Sequence, residues 1–511
     1  MKKIFKLMLV VSMIVSGWSC EDYFELKRPS QYPWQNAEEL ELAVRESYLH
    51  LSRSPWESPL GALCLIGFAQ SDIPQLPPEA PQGNNYAPQY YNRAYATTPP
   101  DKEVDWCFKF LYQIVTNSNA ALQLLNDSEK AGVDPFESMV ESDRETVKRY
   151  KGELLFMRAV AYWYLARIYA PPFDPAGSND GRYFVLRHEY VNKPEELKEG
   201  ALGSVAEVWA AIRSDLEEAK ALLPESYVTS EPQPKGRANK FTACAMLSRV
   251  YFITGEHGRA EQECDAILAS SMYDLSEDPV VAFNRNGAAN GREIIWEIAY
   301  SENSGRFDRV PGIFGMSAYN SRESSYCTFV LAYSTLTRIG WMVDGPNGNY
   351  AEGPNAAKDK RYAQLYYRLE DHPLVHRPNV WLDKYFRAPD GRRSNRPMIR
   401  LAEVFLTRAI LRFNRGDRDG AAADLNEVRK RAGLDDIPAA VLTADDIHNE
   451  RIIELAGEHG DRNYYLIGLR LPLGIGDRDP AKFSPVLAPY SDYYWQVPLT
   501  EQQQNQSYQN R

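Results

Sequence analysis

Two stretches of the chain bring flat aromatic rings together with amides and acids. Tyr86, Tyr90, Tyr91, Asn92 and Tyr95 crowd into the first, and Trp341 and Asp344 lie beside Asn347 and Asn349 in the second, with Trp381 further along. An aromatic ring presents an apolar face to the CH-rich side of a sugar. Amides, carboxylates and tyrosine hydroxyls bond its hydroxyls. Together they suit reversible capture, which needs neither a nucleophile nor a proton relay. Tyr86, Tyr90, Tyr91, Asn92, Tyr95, Trp341, Asp344 and Trp381 are therefore the candidate ligand contacts. Most of the 32 Tyr and 10 Trp are expected to pack inside.

Residue sets for catalysis are weaker. His372 and His376 have helical spacing, but Pro373 and Pro378 put them in a loop, and neither HExxH nor GxSxG occurs. Glu450 and Glu454 share a helix face with Arg451 and Arg462 nearby in sequence, which reads as structural ion pairing rather than a glycosidase pair. Asp477 and Asp479 match no calcium-loop spacing. No catalytic residue, metal or cofactor is expected. A net charge of -11 argues against a nucleic-acid partner, and the short run Arg429-Lys430-Arg431 reads as a solvated helix end.

The candidates fall in two long irregular regions, 54–100 and 305–396, rich in Pro, Gly, Asn and Tyr. Such length without periodicity marks functional loops. Tyr333, Tyr350, Tyr366 and Tyr367 also lie in the second. Helices must hold these regions. Apolar residues recur at helical spacing over 36–51, 104–125, 147–169, 204–223 and 445–469, the last with a break expected at Gly457 to Gly460. Ser204 and Glu207 form a capping box, and Thr500 with Gln503 suggests another. The 204–223 helix is expected to pair with the one ending at Tyr169. Stretch 397–434 is a helical hairpin turning at Gly416-Asp417, with small Ala409 and Ala421 at the seam. Stretch 242–268 repeats the pattern, since Gly255 to Ala260 has the spacing of Gly416 to Ala421. Residues 292–300 alternate like a short strand, with Trp296 inward. The expected fold is mainly α: tetratricopeptide-like hairpins forming a scaffold, with long irregular loop regions and a few short strands.

At the N-terminus, Lys2, Lys3 and Lys6 precede an apolar run from Leu7 to Val15, too short to span a bilayer. Residues 1–19 read as a signal peptide, and Cys20, after small residues and before Glu21-Asp22, as a lipidation site. Of the other cysteines, Cys107, Cys244 and Cys264 sit in apolar helical patterns and Cys64 and Cys327 in less regular ones. They read mostly as buried free thiols, with a Cys244–Cys264 disulfide open.

Cys20, then Arg158, Ala159, Tyr162 and Leu165 in ELLFMRAVAYWYLARIY, and Ile399-Arg400-Leu401-Ala402-Glu403 carry a resemblance to the SusD-like (RagB/SusD) outer-membrane lipoproteins of Bacteroidetes. It continues through Val428 to Gly433, through ERIIELAGEHGDRNYYLIGLR from Glu450, and through the tail from Trp495 to Asn510. It implies an N-terminal region 20–225, a helical repeat and linker 226–290, and a C-terminal region 291–511 carrying the terminal motifs at 450–510. It further implies a non-enzymatic, lipid-anchored protein facing outward from the outer membrane. Such a protein would capture a glycan and hand it to a SusC-like TonB-dependent transporter. A peptide or other non-glycan nutrient is the alternative ligand.

Overall fold

The computed structural model describes residues 34–51, 64, 66–76, 87–93, 95, 102–191, 193–227, 234–283, 291–298, 329–345, 350–369, 379–382, 384 and 395–509. Cys20, Tyr86 and Cys327 lie outside them. In chain order the helices are α1 (Ala37–Leu49), α2 (Ala87–Tyr91), α3 (Lys102–Ala131), α4 (Glu141–Tyr169), α5 (Pro194–Leu197), α6 (Val205–Leu222), α7 (Lys240–Ile253) and α8 (His257–Ala269). They continue with α9 (Tyr333–Arg338), α10 (Lys360–Leu365), α11 (Leu401–Asn414), α12 (Arg418–Arg431), α13 (Ala444–Leu455), α14 (Asp461–Gly468), α15 (Leu499–Gln504) and α16 (Gln506–Gln509). The strands are short and pair two by two, all antiparallel: β1 (Pro74–Gln75) with β5 (Val330–Leu331), β2 (Arg182–Val185) with β3 (Leu202–Ser204), β4 (Ile294–Ile298) with β10 (Arg396–Arg400), β6 (Met342–Asp344) with β7 (Tyr350–Glu352), and β8 (Tyr366–Leu369) with β9 (Asn379–Leu382).

The central helix is α4. From Gly152 to Ala166 every residue is buried, so this stretch is enclosed on all sides, as an apolar run broken only by the charged Glu153 and Arg158 requires. It packs against α3 and α6. Its Arg158 pairs with both carboxylate oxygens of Asp215 on α6, at 2.8 and 2.7 Å, and donates to Asn119 Oδ1 on α3 at 2.8 Å. The Ser204 cap forms as expected, with Glu207 N donating to Ser204 Oγ at 3.1 Å and Ser204 N to Glu207 Oε2 at 2.7 Å. The hairpins α7–α8 and α11–α12 both form, and α8 packs on α11, so the two repeats stack across the sequence between them. Charge sews that seam: Arg408 reaches Asp265 at 2.7 Å and Arg412 reaches Glu261 at 3.1 Å. Ala409 and Ala421 are fully buried, as close helix approach demands.

The expected strand is β4, and Trp296 on it is buried edge-on to Phe156 with centroids 5.1 Å apart. The break between α13 and α14 is set by left-handed residues at Gly457 and Gly460, φ 78° and 70°. One local expectation is corrected. Thr500 does not cap a turn: α15 already begins at Leu499, because the restricted φ of Pro498 turns the chain into the helix before Thr500 is reached. The Cys244–Cys264 disulfide, left open by the sequence, does not form: Cys64, Cys107, Cys244 and Cys264 are buried thiols, as expected.

Candidate ligand-binding face

The two irregular regions meet in a ladder of two residues per strand. Pro74 of β1 faces Leu331 of β5, and Gln75 faces Val330. Beyond β5 the chain turns into α9. The first amides of that helix have no partner within it, and Asp477 from the far end of the chain accepts from Tyr333 N at 2.6 Å and Ser334 N at 3.2 Å. Gly340, at φ 74°, then reverses the chain into the β6–β7 hairpin.

Three half-buried tyrosines and two exposed acids converge here. The Tyr333 and Tyr350 rings lie 3.9 Å apart between centroids, and Tyr333 Oη donates to Asp344 Oδ1 at 2.6 Å. Tyr362 Oη donates to Glu352 Oε1 at 3.2 Å. Trp341 lies beneath, wholly buried, edge-on to Tyr362 and Tyr366 at 5.0 and 4.7 Å. A buried anchor thus holds a partly wet aromatic patch rimmed by carboxylates. This offers ring faces to an apolar surface and acceptors to hydroxyl groups, with their geometry set by neighbouring side chains.

An ion cluster around the buried Asp72 fixes the patch to the scaffold. Arg462 of α14 clamps Asp72 with two 2.8 Å bonds, and Arg338 of α9 joins at 3.2 Å. Burial alone would raise the Asp72 carboxyl, but Arg462 and Arg338 outweigh it and hold the group well below the usual carboxylate range.

Several expected contacts are spent inside the protein. Tyr90 is fully buried edge-on to Trp495 at 5.3 Å. Tyr91 is buried with the Arg478 guanidinium 4.1 Å above its ring. Trp341 and Trp381 are core residues. In each case packing of a large ring against the scaffold leaves no face for a ligand. Tyr95 is half-buried, edge-on to Tyr493 and Trp495 at 5.4 and 5.3 Å. Asn92 is exposed at the end of α2, and Asp344 is exposed within the new patch. Tyr333, Tyr350 and Tyr362 are not among the sequence candidates. A signal for them exists in the Asp-Gly-Pro-Asn-Gly-Asn run from Asp344 to Asn349, which marks a reversal and brings its flanks together.

The acids at Glu450 and Glu454 are structural. Arg361 pairs with Glu450 at 2.6 Å, and Glu454 faces Arg361, Arg400 and Arg431 at 3.0, 2.8 and 2.5 Å. Glu403, His459 and Asp461 lie close enough to share a metal ion. Arg249 already pairs with Glu403 at 2.6 Å and Arg451 with Asp461 at 2.6 Å, so two of the three ligands are neutralised by the protein.

A helical-repeat scaffold that carries a loop-built aromatic patch and structurally paired acids defines a fold of the tetratricopeptide-like class. A family model described as "Starch-binding associating with outer membrane" matches residues 77–252, and the model of the SusD family matches residues 328–464. The chain belongs to the SusD family. It is similar in fold to a SusD superfamily protein from Bacteroides thetaiotaomicron, with TM-score 0.73 and 20% identity, covering 92% of this chain and 98% of that one. A SusD-like carbohydrate binding protein from Bacteroides vulgatus gives TM-score 0.71 and 17% identity, with 93% and 97% covered. A laminarin binding SusD-like protein gives 0.62 and 19%, with 93% and 98% covered. None of the curated proteins matches the chain.

Proposed function

We propose that this protein is a cell-surface lipoprotein that captures an oligo- or polysaccharide and passes it to a SusC-like TonB-dependent transporter, without chemical change to the glycan. The observation that carries the reading is the Tyr333–Tyr350 pair with Asp344 bonded to the Tyr333 hydroxyl: ring faces and fixed acceptors on one exposed patch. Family membership and the laminarin binding relative support a glycan ligand. The structural pairing of Glu450 and Glu454 supports binding without turnover. No helix among the described residues is long and apolar enough to cross a membrane, and acylated Cys20 would supply the anchor to the outer membrane. Tyr333, Tyr350, Tyr362, Asp344 and Glu352 form the contact patch, with Asn92 the candidate from the first loop region.

Calorimetry on lipid-free residues 21–511 against polysaccharides, oligosaccharides and peptides tests this. A saturable glycan signal that is lost in Tyr333→Ala and Tyr350→Ala is the expected result. A peptide signal with silence on glycans would favour the alternative ligand class, and release of reducing ends would overturn the non-enzymatic reading.

A further inference from the structure

The core holds a cationic cavity that no acid of the described residues neutralises. It is about 50 Å³ and lies between α4, the 66–70 segment and α14. Arg167 lines it. This guanidinium donates only to backbone carbonyls, to His459 O at 3.2 Å and Gly460 O at 3.0 Å, and lies 4.3 Å from the Trp163 ring centre. No carboxylate of the described residues pairs with it. Burial, reinforced by Arg249, pulls its pKa downward, as expected for a cation short of counter-charge. A buried charge without a partner is costly, which is why proteins pair almost all of them.

The neighbouring polar groups point the same way. Gly67 O can only accept, so Asn463 turns Nδ2 toward it, at 3.3 Å, and toward Tyr493 Oη at 2.7 Å. Tyr493 therefore passes its own proton to Gln70 Oε1 at 3.1 Å, leaving the Gln70 Nε2 amide as an unused donor. His459 Nε2 lies 3.0 Å from Arg249 Nη2, which can only donate, so the ring proton sits on Nδ1, also unused. Glu403 Oε2 is farther from Nε2, at 3.4 Å, and already takes the Arg249 fork. Gln70 and His459 are both more than nine-tenths buried, and both line the cavity. Among the described residues, Asn463 Oδ1 is the one side-chain acceptor left over there.

We propose that this cavity binds a small monovalent anion, with chloride the best fit to its size, held by Arg167, Gln70 Nε2 and His459 Nδ1. The volume accommodates the ion and a water that donates to Asn463 Oδ1, since one water needs about 10–15 Å³ of such space. The ion neutralises Arg167 where α4, from the N-terminal half, meets α14, from the C-terminal half.

The test uses lipid-free residues 21–511. In sodium chloride against sodium gluconate at equal ionic strength, the unfolding midpoint is expected to rise with chloride, and bromide to substitute. Gln70→Leu, which removes one donor and keeps the arginine, is expected to require roughly tenfold more chloride for the same shift. Crystals grown in bromide are expected to show an anomalous peak beside the Arg167 guanidinium. Equal midpoints in chloride and gluconate, or water alone in the cavity of bromide crystals, would overturn the proposal. Arg167→Met is expected to abolish the chloride response; should it not fold, the Gln70→Leu titration and the bromide crystal still decide.

Discussion

Arg400 and Glu458, 58 positions apart, meet as a buried fork: Nε lies 2.8 Å from one carboxylate oxygen and Nη2 2.8 Å from the other. Both residues belong to the stretches that carry the family resemblance. Their pairing shows what those stretches do, because Arg400 also reaches Glu293 at 2.5 Å and Glu454 at 2.8 Å. Arg400 of β10, Arg431 of α12, Glu454 of α13, Glu458 just beyond it and Glu293 just before β4 thus form one connected charged core. Removing a single member takes a partner from several others. Glu454→Ala leaves Arg361, Arg400 and Arg431 short of a counter-charge, and a loss of about 3–5 kcal/mol in denaturant unfolding is expected.

Acid should act through the same kind of contact. Burial raises the carboxyls of Asp72, Glu403 and Glu454, but their arginine partners overcome it and depress all three. A depressed carboxyl contributes its full stability above the unfolded value of about 4 and loses it as pH falls toward the folded value. Glu153 runs the other way: burial outweighs Arg237 and Arg149 and raises it, so it offsets part of the slope. The melting temperature is expected to be nearly level from pH 7 to about 5 and to drop below about 4. Asp72→Asn should lower stability at neutral pH and make the acid loss shallower.

Trp341 and Tyr333 separate the core from the aromatic patch. Trp341 is 0% exposed, so Trp341→Ala should cost about 3–5 kcal/mol of stability. Tyr333→Ala should weaken glycan binding with a smaller stability cost. Thermal melts beside calorimetry check both.

Gly67 marks a backbone-to-backbone contact. A Cβ there would stand 2.5 Å from Gly460 Cα, and neither backbone can swing aside as a side chain would. Gly67→Ala should cost about 1–3 kcal/mol. Gly258→Ala, which meets nothing within 4 Å, should be neutral or slightly stabilising in the same denaturation assay.

The four described cysteines should resist modification. Burial pushes the Cys64 thiol up to about 11 and those of Cys244 and Cys264 to about 12. At pH 8 an aromatic disulfide reagent should leave them unreacted in native protein and titrate them after denaturation.

The scaffold is legible in the sequence because its signals are periodic and local. The α4 run, the Ser204–Glu207 box and the Gly457–Gly460 break each fix an element from a few neighbouring residues. The aromatic patch is legible only as a region. Strands of two or three residues are too short for alternation to say which ring turns inward, so Trp341 and Tyr333 look alike in sequence. Their different fates depend on Asp477 and Tyr366, and on the β1–β5 ladder that joins positions more than 250 apart. Tyr90 and Tyr91 pass for ligand contacts for the same reason: the ring and guanidinium that cover them come from Trp495 and Arg478.

Arg478 donates to the carbonyls of Ala69, Ser71 and Tyr91, and Trp495 N donates to Ile168 O at 2.6 Å. Asp477, one residue before Arg478, supplies the carboxylate on which α9 begins, 144 positions after the Tyr333 amide it accepts from. Synthesis delivers the rings of the patch first and the group that orients them much later. A partly emerged chain therefore carries Tyr333, Tyr350 and Tyr362 without the means to hold them in place. The ordered patch belongs to the finished molecule alone, and a chain cut short before Asp477 would keep its aromatic residues and lose the carboxylate that fixes them.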